Sequence, residues 1–288
     1  MKKKFYVTAI ILLLTLTVCF SVGCSLFADN TPNRYYIDIG EVEDSRVASI
    51  VANNTVDSCV RITTEYTNGM TSKSSGFFVT SDGYIITNRH CVVRFTNGTD
   101  LPSSENEIPI GVKKYTVTDT KNISYKAKLV SYSKTADIAL LKIDSAENII
   151  DSFTISTTNF APVMFDTVSK PYYGDRLYTI GNPEDMGFIF SELMVASPAI
   201  KLTSDDTYYS IVLDGNINHG NSGGPLIDVN SHVVGLIFAR VEGPTESSSK
   251  TYGLGCAIPA DIVAAFLDAN EIKYSQYTPT TSEGESEA

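Results

Sequence analysis

The nonamer Asn218-His219-Gly220-Asn221-Ser222-Gly223-Gly224-Pro225-Leu226 decides the reading of this 288-residue chain. It sets one serine among glycines, with the apolar run Leu226-Ile227-Asp228-Val229 directly behind it. Glycine tolerates positive φ and lets other atoms approach the backbone closely. A loop of this composition can fold tightly enough to expose the Ser222 hydroxyl and to aim the N–H groups of Gly220 and Ser222 at one point. An exposed hydroxyl beside two convergent donors is a nucleophile with its own oxyanion site. A plain glycine-rich hairpin turn would use the same residues. The rest of the chain must therefore supply a base and an acid, or the serine means little.

Only three histidines exist, His90, His219 and His232. His219 shares one tight loop with Ser222, too close in sequence to swing onto it, and suits the rim of a substrate pocket. His232 follows a serine in a turn and reads as a hairpin residue. His90 ends the strand-like run Ile85-Ile86-Thr87-Asn88-Arg89-His90, where the chain turns, and is the base by elimination and context. A serine–histidine pair needs a third group to accept the other imidazole N–H. Asp137 opens the apolar run Ala136-Asp137-Ile138-Ala139-Leu140-Leu141, which places a carboxylate at the edge of a core. On the residues alone it could equally be a turn residue, and Asp119 and Asp144 compete with it.

Bulk composition narrows the class. Hydrophobic residues make up 43% of the chain and charged residues 19%, which suits a folded protein long enough to bury a core. The net charge of −11 grows more negative once the leader lysines are excluded. Such acidity disfavours non-specific binding to nucleic acid or anionic lipid. Tryptophan is absent, while 16 tyrosines and 13 phenylalanines favour β-structure.

The N-terminus reads as a targeting segment. Lys2-Lys3-Lys4 precedes an apolar run from Phe5 to Phe20, shorter than the roughly 20 residues of a spanning helix. Ser21-Val22-Gly23-Cys24 resembles a bacterial lipobox, with Ser21 in place of the usual leucine. The expectation is a lipoprotein signal peptide over residues 1–23 and a lipid on Cys24. An uncleaved signal anchor is the runner-up. Residues 24–44 read as a tether, and everything beyond lies outside the cytoplasm. Cys59, Cys91 and Cys256 remain; an odd count argues against a disulfide framework, and buried free thiols are expected.

From residue 45 a short helix is expected, with Val47, Ile50 and Val51 on one face. Strands follow at residues 59–63, 76–80, 84–87, 125–130 and 138–143, with the Asp82-Gly83 pair marking a hairpin. Residues 96–122 read as one strand between long loops. A second set falls at 176–180, 188–200, 208–213, 226–229, 233–239 and 253–258. Many short strands between turns indicate an all-β fold. Pro259 then opens a helix carrying Ile262, Val263, Phe266 and Leu267 on one face. Residues 271–288, rich in Pro, Thr, Ser and Glu from Ser275 onward, read as a disordered tail.

Thr87-Asn88-Arg89-His90, Ala136-Asp137-Ile138-Ala139-Leu140-Leu141 and Gly220-Asn221-Ser222-Gly223-Gly224-Pro225-Leu226 resemble the three motifs of HtrA/Deg-type chymotrypsin-like serine proteases. Ile180-Gly181-Asn182-Pro183 and Gly253-Leu254-Gly255-Cys256-Ala257-Ile258-Pro259 are similar to further family segments. The likeness runs over about residues 45–270, in the order His, Asp, Ser. It implies an all-β fold of two six-stranded antiparallel barrels, about 45–150 and 160–260, with the site between them and a short C-terminal helix. It implies a serine endopeptidase acting on protein or peptide substrates at the cell surface, with His90, Asp137 and Ser222 catalytic and Gly220 and Ser222 as oxyanion donors. Asn216, Ile217, His219, Phe238 and Ala239 are expected to line the pocket. None of these is acidic at the pocket base, so a small or medium uncharged residue is the expected cleavage partner. No cofactor or metal enters this chemistry.

Departures shape the expectation. The PDZ domain common in the family is expected to be absent. Asn221 stands where digestive relatives carry aspartate, which argues against activation by a newly cut N-terminus. Cys91 follows the histidine as in digestive proteases, yet Ser74-Ser75-Gly76 offers no cysteine opposite it. Activity should rise with pH around the ordinary histidine value of about 6.5. A catalytically silent peptide-binding lipoprotein, or an acyl hydrolase of other specificity, would use much of the same sequence.

Overall fold

Alternating burial along the first strand shows how the chain closes on itself. In the computed structural model, which describes residues 44–96, 109–144, 149–150, 153–154, 159–202, 206–240 and 254–279, β1 (Cys59–Tyr66) turns Val60, Ile62, Thr64 and Tyr66 inward. It pairs with β2 (Thr71–Phe78) on one side and β4 (Val112–Thr118) on the other. With β3 (Tyr84–Thr87), β5 (Ser124–Tyr132) and β6 (Ala139–Ile143) these form a closed antiparallel barrel, ordered β1-β2-β3-β6-β5-β4. Val60, Ile62, Phe78, Ile85, Val117 and Leu141 fill its interior. Burying each such side chain fully contributes about 1.5–3 kcal/mol. A short pair, β7 (Ile149–Ile150) and β8 (Phe153–Thr154), follows.

The second barrel is built the same way. After β9 (Met164–Phe165) come β10 (Arg176–Gly181), β11 (Ile189–Ile200), β12 (Ser210–Asp214), β13 (Pro225–Ile227), β14 (Val233–Arg240) and β15 (Leu254–Pro259). The order β13-β10-β11-β12-β15-β14 closes because β13 pairs with both β10 and β14. Leu177, Leu193, Leu213, Ile217, Leu226 and Ile237 form its core. The two six-stranded barrels expected from the sequence are present.

Between them lies a third apolar cluster, which joins Phe77, Ile86 and Leu140 of barrel one to Tyr178, Ile227 and Leu236 of barrel two. Two helices seal it. α1 (Asp44–Thr55) contributes Val47 and Val51. After the four-residue α2 (Arg89–Val92), α3 (Ala260–Ala269) contributes Val263 and Leu267, with Ile262 and Phe266 packed beside them. The Ser222 loop and the histidine segment meet beside this seam.

The chain beyond α3 departs from expectation. Residues 271–279 do not leave the barrel as a tail. Ile272 and Tyr274 pack against the central cluster, β16 (Ser275–Gln276) runs parallel to β9, and Tyr277 N–H donates to the Phe165 carbonyl at 2.7 Å. Tyr274 meets the Phe165 ring edge-on at 5.4 Å. Three apolar or aromatic side chains interleaved with polar ones suffice to hold a short edge strand. Cys59, Cys91 and Cys256 are buried free thiols. No helix among the described residues is long and apolar enough to cross a membrane. The leader, Cys24 and the tether up to residue 43 lie outside the described residues.

Candidate active site

All four side chains of Thr87-Asn88-Arg89-His90 are fastened, those of Asn88 and His90 both to Asp137. The Thr87 hydroxyl donates to the Ser75 carbonyl at 2.7 Å. Asn88 donates from Nδ2 to the Asp137 carbonyl at 2.8 Å. Arg89, only 5% exposed, donates from Nη1 to the carbonyls of Ser133 and Ala136 at 2.7 and 3.0 Å. The turn between β5 and β6 is thereby strapped to α2, and Asp137 has little freedom. Its Oδ1 accepts the His90 backbone N–H at 2.9 Å, and its Oδ2 lies 2.6 Å from His90 Nδ1. A carboxylate gripped on both oxygens by one residue fixes the imidazole plane and, at Nδ1, its proton. Neither Asp119 nor Asp144 makes this contact: Asp119 serves its own turn and the Tyr125 hydroxyl, and Asp144 pairs with Lys128.

The electrostatics follow from this grip. Burial of the ring disfavours the imidazolium. The Cys91 sulfur beside the ring, the Asp137 charge and the Asp137 hydrogen bond outweigh it and raise the His90 pKa well above 6.5. Tyr208, from the second barrel, has its phenol pushed up to about 12 by burial and by the neighbouring Asp137 charge.

The serine loop owes its shape to glycine at two places. Gly220 sits at φ +97, and a Cβ there would lie 2.1 Å from the Asn182 carbonyl oxygen. Gly223 sits at φ +88, where a Cβ would lie 2.0 Å from the Ser75 carbonyl oxygen. Both values exclude any side chain without rebuilding the loop. Gly223 N–H donates to the Ile237 carbonyl and Ile237 N–H to the Gly224 carbonyl, so the loop is laid along β14. Among the described residues neither the Gly220 nor the Ser222 N–H makes an internal hydrogen bond.

The Ser222 hydroxyl donates to the Phe238 carbonyl at 3.3 Å. His90 Nε2 faces the Cys91 thiol, 3.5 Å away, and that thiol lies 3.9 Å from the Ser222 carbonyl. The thiol thus links the two segments, with the hydroxyl turned away from the ring.

Of the expected pocket residues, Asn216 and His219 are exposed, and the His219 carbonyl accepts the Glu184 N–H at 2.8 Å. Ile217 is turned into the barrel-two core at 5% exposure, filling the space that Gly255 leaves open. A Cβ at 255 would lie 2.1 Å from Ile217 Cδ1. Phe238 presents its carbonyl to Ser222, and Ala239 pairs with Cys256 across a bulge.

Sequence reasoning passed over Ser75, where only a missing cysteine had been noted. It is 1% exposed. Its hydroxyl donates to the Gly220 carbonyl at 2.7 Å and accepts the Asn182 N–H at 2.8 Å, while its own N–H donates to the Ser222 carbonyl at 2.9 Å. A serine beside Gly76, leading into Phe77-Phe78 within β2, was the available signal. Replacing Ser75 with alanine strands two buried backbone groups, each worth about 1–3 kcal/mol. We expect thermal unfolding to fall accordingly and kcat/KM to drop with it; a change within about 0.5 kcal/mol, as for a surface site, would contradict the role.

Two closed barrels with a histidine–carboxylate pair on one and a glycine-bound serine on the other define a chymotrypsin-like double barrel. A profile of the trypsin-like peptidase domain matches residues 74–236, more than half of the chain. The chain belongs to the trypsin-like peptidase family, and it is similar to HtrA-type members of it. It is 31% identical over 186 residues to a probable periplasmic DegP-like serine endoprotease of Bartonella henselae, covering 65% of this chain and 31% of that one. To the protein of the same description in Pseudomonas putida it is 31% identical over 205 residues, covering 70% and 35%. The chain thus spans about a third of the length of these relatives. Among solved structures, the HtrA-type protease AlgW with tripeptide superposes with a TM-score of 0.59 at 22% identity, over 77% of this chain and 62% of that one. The active form of the Rv3671c protease from M. tuberculosis gives 0.58 at 21% identity, over 82% and 90%. These likenesses show the fold.

Proposed function

We propose that this chain is an extracytoplasmic serine endopeptidase in which Ser222 attacks a peptide carbonyl and His90 takes its proton through Nε2. Asp137 holds the ring and stabilises the imidazolium, and the N–H groups of Gly220 and Ser222 receive the oxyanion. His90 then protonates the leaving amine, and water releases the acyl group by the same steps in reverse. One observation carries the reading: the two-point grip of Asp137 on His90, at 2.9 and 2.6 Å, beside a serine loop with two unspent N–H donors. In the attacking arrangement the Ser222 hydroxyl leaves the Phe238 carbonyl and turns to Nε2.

Substrate backbone would lie along β14. Its pairing with β13 ends at Leu236, so among the described residues Phe238 to Arg240 have no strand partner on the Ser222 side, and an extended peptide can add there. With Ile217 withdrawn into the core, Asn216 and His219 line the rim, and a small or medium uncharged residue remains the preferred side chain. The lysine-led leader and the segment ending at Cys24 support export and a lipid anchor; the similarity to proteins described as periplasmic agrees with export.

The test is a fluorophosphonate probe on the purified chain, with casein cleavage measured alongside. Labelling that disappears in Ser222→Ala, with cleavage, supports the reading. A catalytically silent peptide binder is the second reading, favoured by the Ser222 hydroxyl resting on Phe238, and absence of labelling would select it.

The acid–base partnership sets the pH dependence. A base must be neutral, and His90 holds its proton well above 6.5. The rising limb of kcat/KM is therefore expected above that value and still climbing at pH 7, higher than histidine alone would give. A limb centred at or below 6.5 would remove His90 from the role. The sign for stability is opposite: the folded protein favours the imidazolium, so this contribution is present at low pH and is lost as pH rises through the folded value.

A further inference from the structure

His232 is no ordinary hairpin residue. It sits in the turn between β13 and β14 yet is 5% exposed, with Tyr277 stacked on its ring at 4.6 Å. Its Nδ1 is buried and has no hydrogen-bond partner. The nearest charged atom is Asp228 Oδ2 at 3.7 Å, too far for a hydrogen bond. Asp166, 3% exposed and next after β9, completes a group whose ligand atoms, one per residue, all lie within 4.8 Å of one another.

Both carboxylates are anchored through one oxygen only. Asp166 Oδ1 accepts the N–H groups of Val168 and Ser169 at 2.9 and 2.8 Å. Asp228 Oδ1 accepts those of Asn230 and His232 at 2.9 and 2.7 Å. The second oxygen of each makes no hydrogen bond among the described residues. Two carboxylates and an orphaned imidazole nitrogen, mostly withdrawn from water, are unfavourable on their own. A cation satisfies all three together.

We propose that Asp166, Asp228 and His232 bind one divalent transition-metal ion, zinc foremost. An imidazole nitrogen with two carboxylate oxygens suits zinc, whereas calcium takes six to eight oxygens and magnesium keeps a shell of water. Tetrahedral ligands at about 2.1 Å stand about 3.4 Å apart. The 3.7 Å between Nδ1 and Asp228 Oδ2 is already close to that, and small carboxylate rotations supply the rest. The fourth position would hold water. The ion would tie the end of β9 to the hairpin that follows the Ser222 loop and, through Tyr277, to the C-terminal edge strand. Its role is a clamp, apart from the chemistry at Ser222.

The test uses the full chain in detergent, stripped with EDTA and titrated with Zn²⁺ by calorimetry and with Co²⁺ by visible absorption. One equivalent should bind saturably, raising the melting temperature, and Co²⁺ should give d–d bands without thiolate charge transfer. His232→Gln and Asp166→Asn should each weaken Zn²⁺ binding more than about 100-fold, since outer-shell partners alone are worth 10–100-fold. His219→Ala should bind as the parent does. No saturable equivalent, a thiolate band, undiminished binding by His232→Gln, or loss of binding in His219→Ala would overturn the site. Should His232→Gln fail to fold, the Asp166→Asn titration and the parent Co²⁺ spectrum decide.

Discussion

Replacing Ser222 by alanine is expected to lower kcat by about 10⁴–10⁶ while leaving the fold intact. The loop does not depend on the hydroxyl. Its shape comes from the left-handed Gly220 and Gly223 and from backbone bonds to Ile237 and Ser75. The hydroxyl's one hydrogen bond, 3.3 Å to Phe238, is worth about 0.5–1.5 kcal/mol at most. Turnover of a chromogenic peptide, read with a melting curve, separates the two quantities. An unchanged melting temperature with fluorophosphonate labelling abolished is the expected pair. Persistent cleavage would move the nucleophile elsewhere.

Asp137→Asn is expected to cost about 10⁴ in kcat, the size of effect seen when such a carboxylate becomes an amide. The amide oxygen can still accept the His90 N–H, so the turn stays strapped. Its nitrogen now offers a proton to Nδ1, which must become an acceptor; the remaining proton moves to Nε2, and the ring has nothing with which to deprotonate Ser222. Loss of the carboxylate charge also removes a cause of the raised His90 pKa. The rising limb of the residual activity should therefore move to lower pH. A loss below tenfold with an unmoved limb would deny Asp137 both parts.

Much of this was readable in the chain because the motifs are local. Thr87 to His90, Ala136 to Leu141 and Gly220 to Leu226 each carry their meaning in consecutive residues, and strand alternation is equally local. The face of α3 was visible because Val263 and Leu267 recur at helical spacing, and both are fully buried. What escaped depends on distance. β9 and β16 are two residues each and pair across more than a hundred positions, with no periodicity to announce them. Ile217 reads as pocket lining from its place beside Ser222, but Gly255 opposite leaves a hole in the core, and the side chain fills it. The upward shift at His90 needed the Asp137 grip and the position of the Cys91 thiol, which no spacing encodes.

Ser75 belongs to the first barrel, while Gly220, Ser222 and Asn182 belong to the second. Ser222 is therefore hung, in part, from the half of the molecule that also carries His90. Slippage along the seam would disturb the serine before either barrel lost its own hydrogen-bond ladder. Under heat or denaturant, turnover should then vanish ahead of the circular dichroism of the strands, so the chain would report its own loosening by falling silent first.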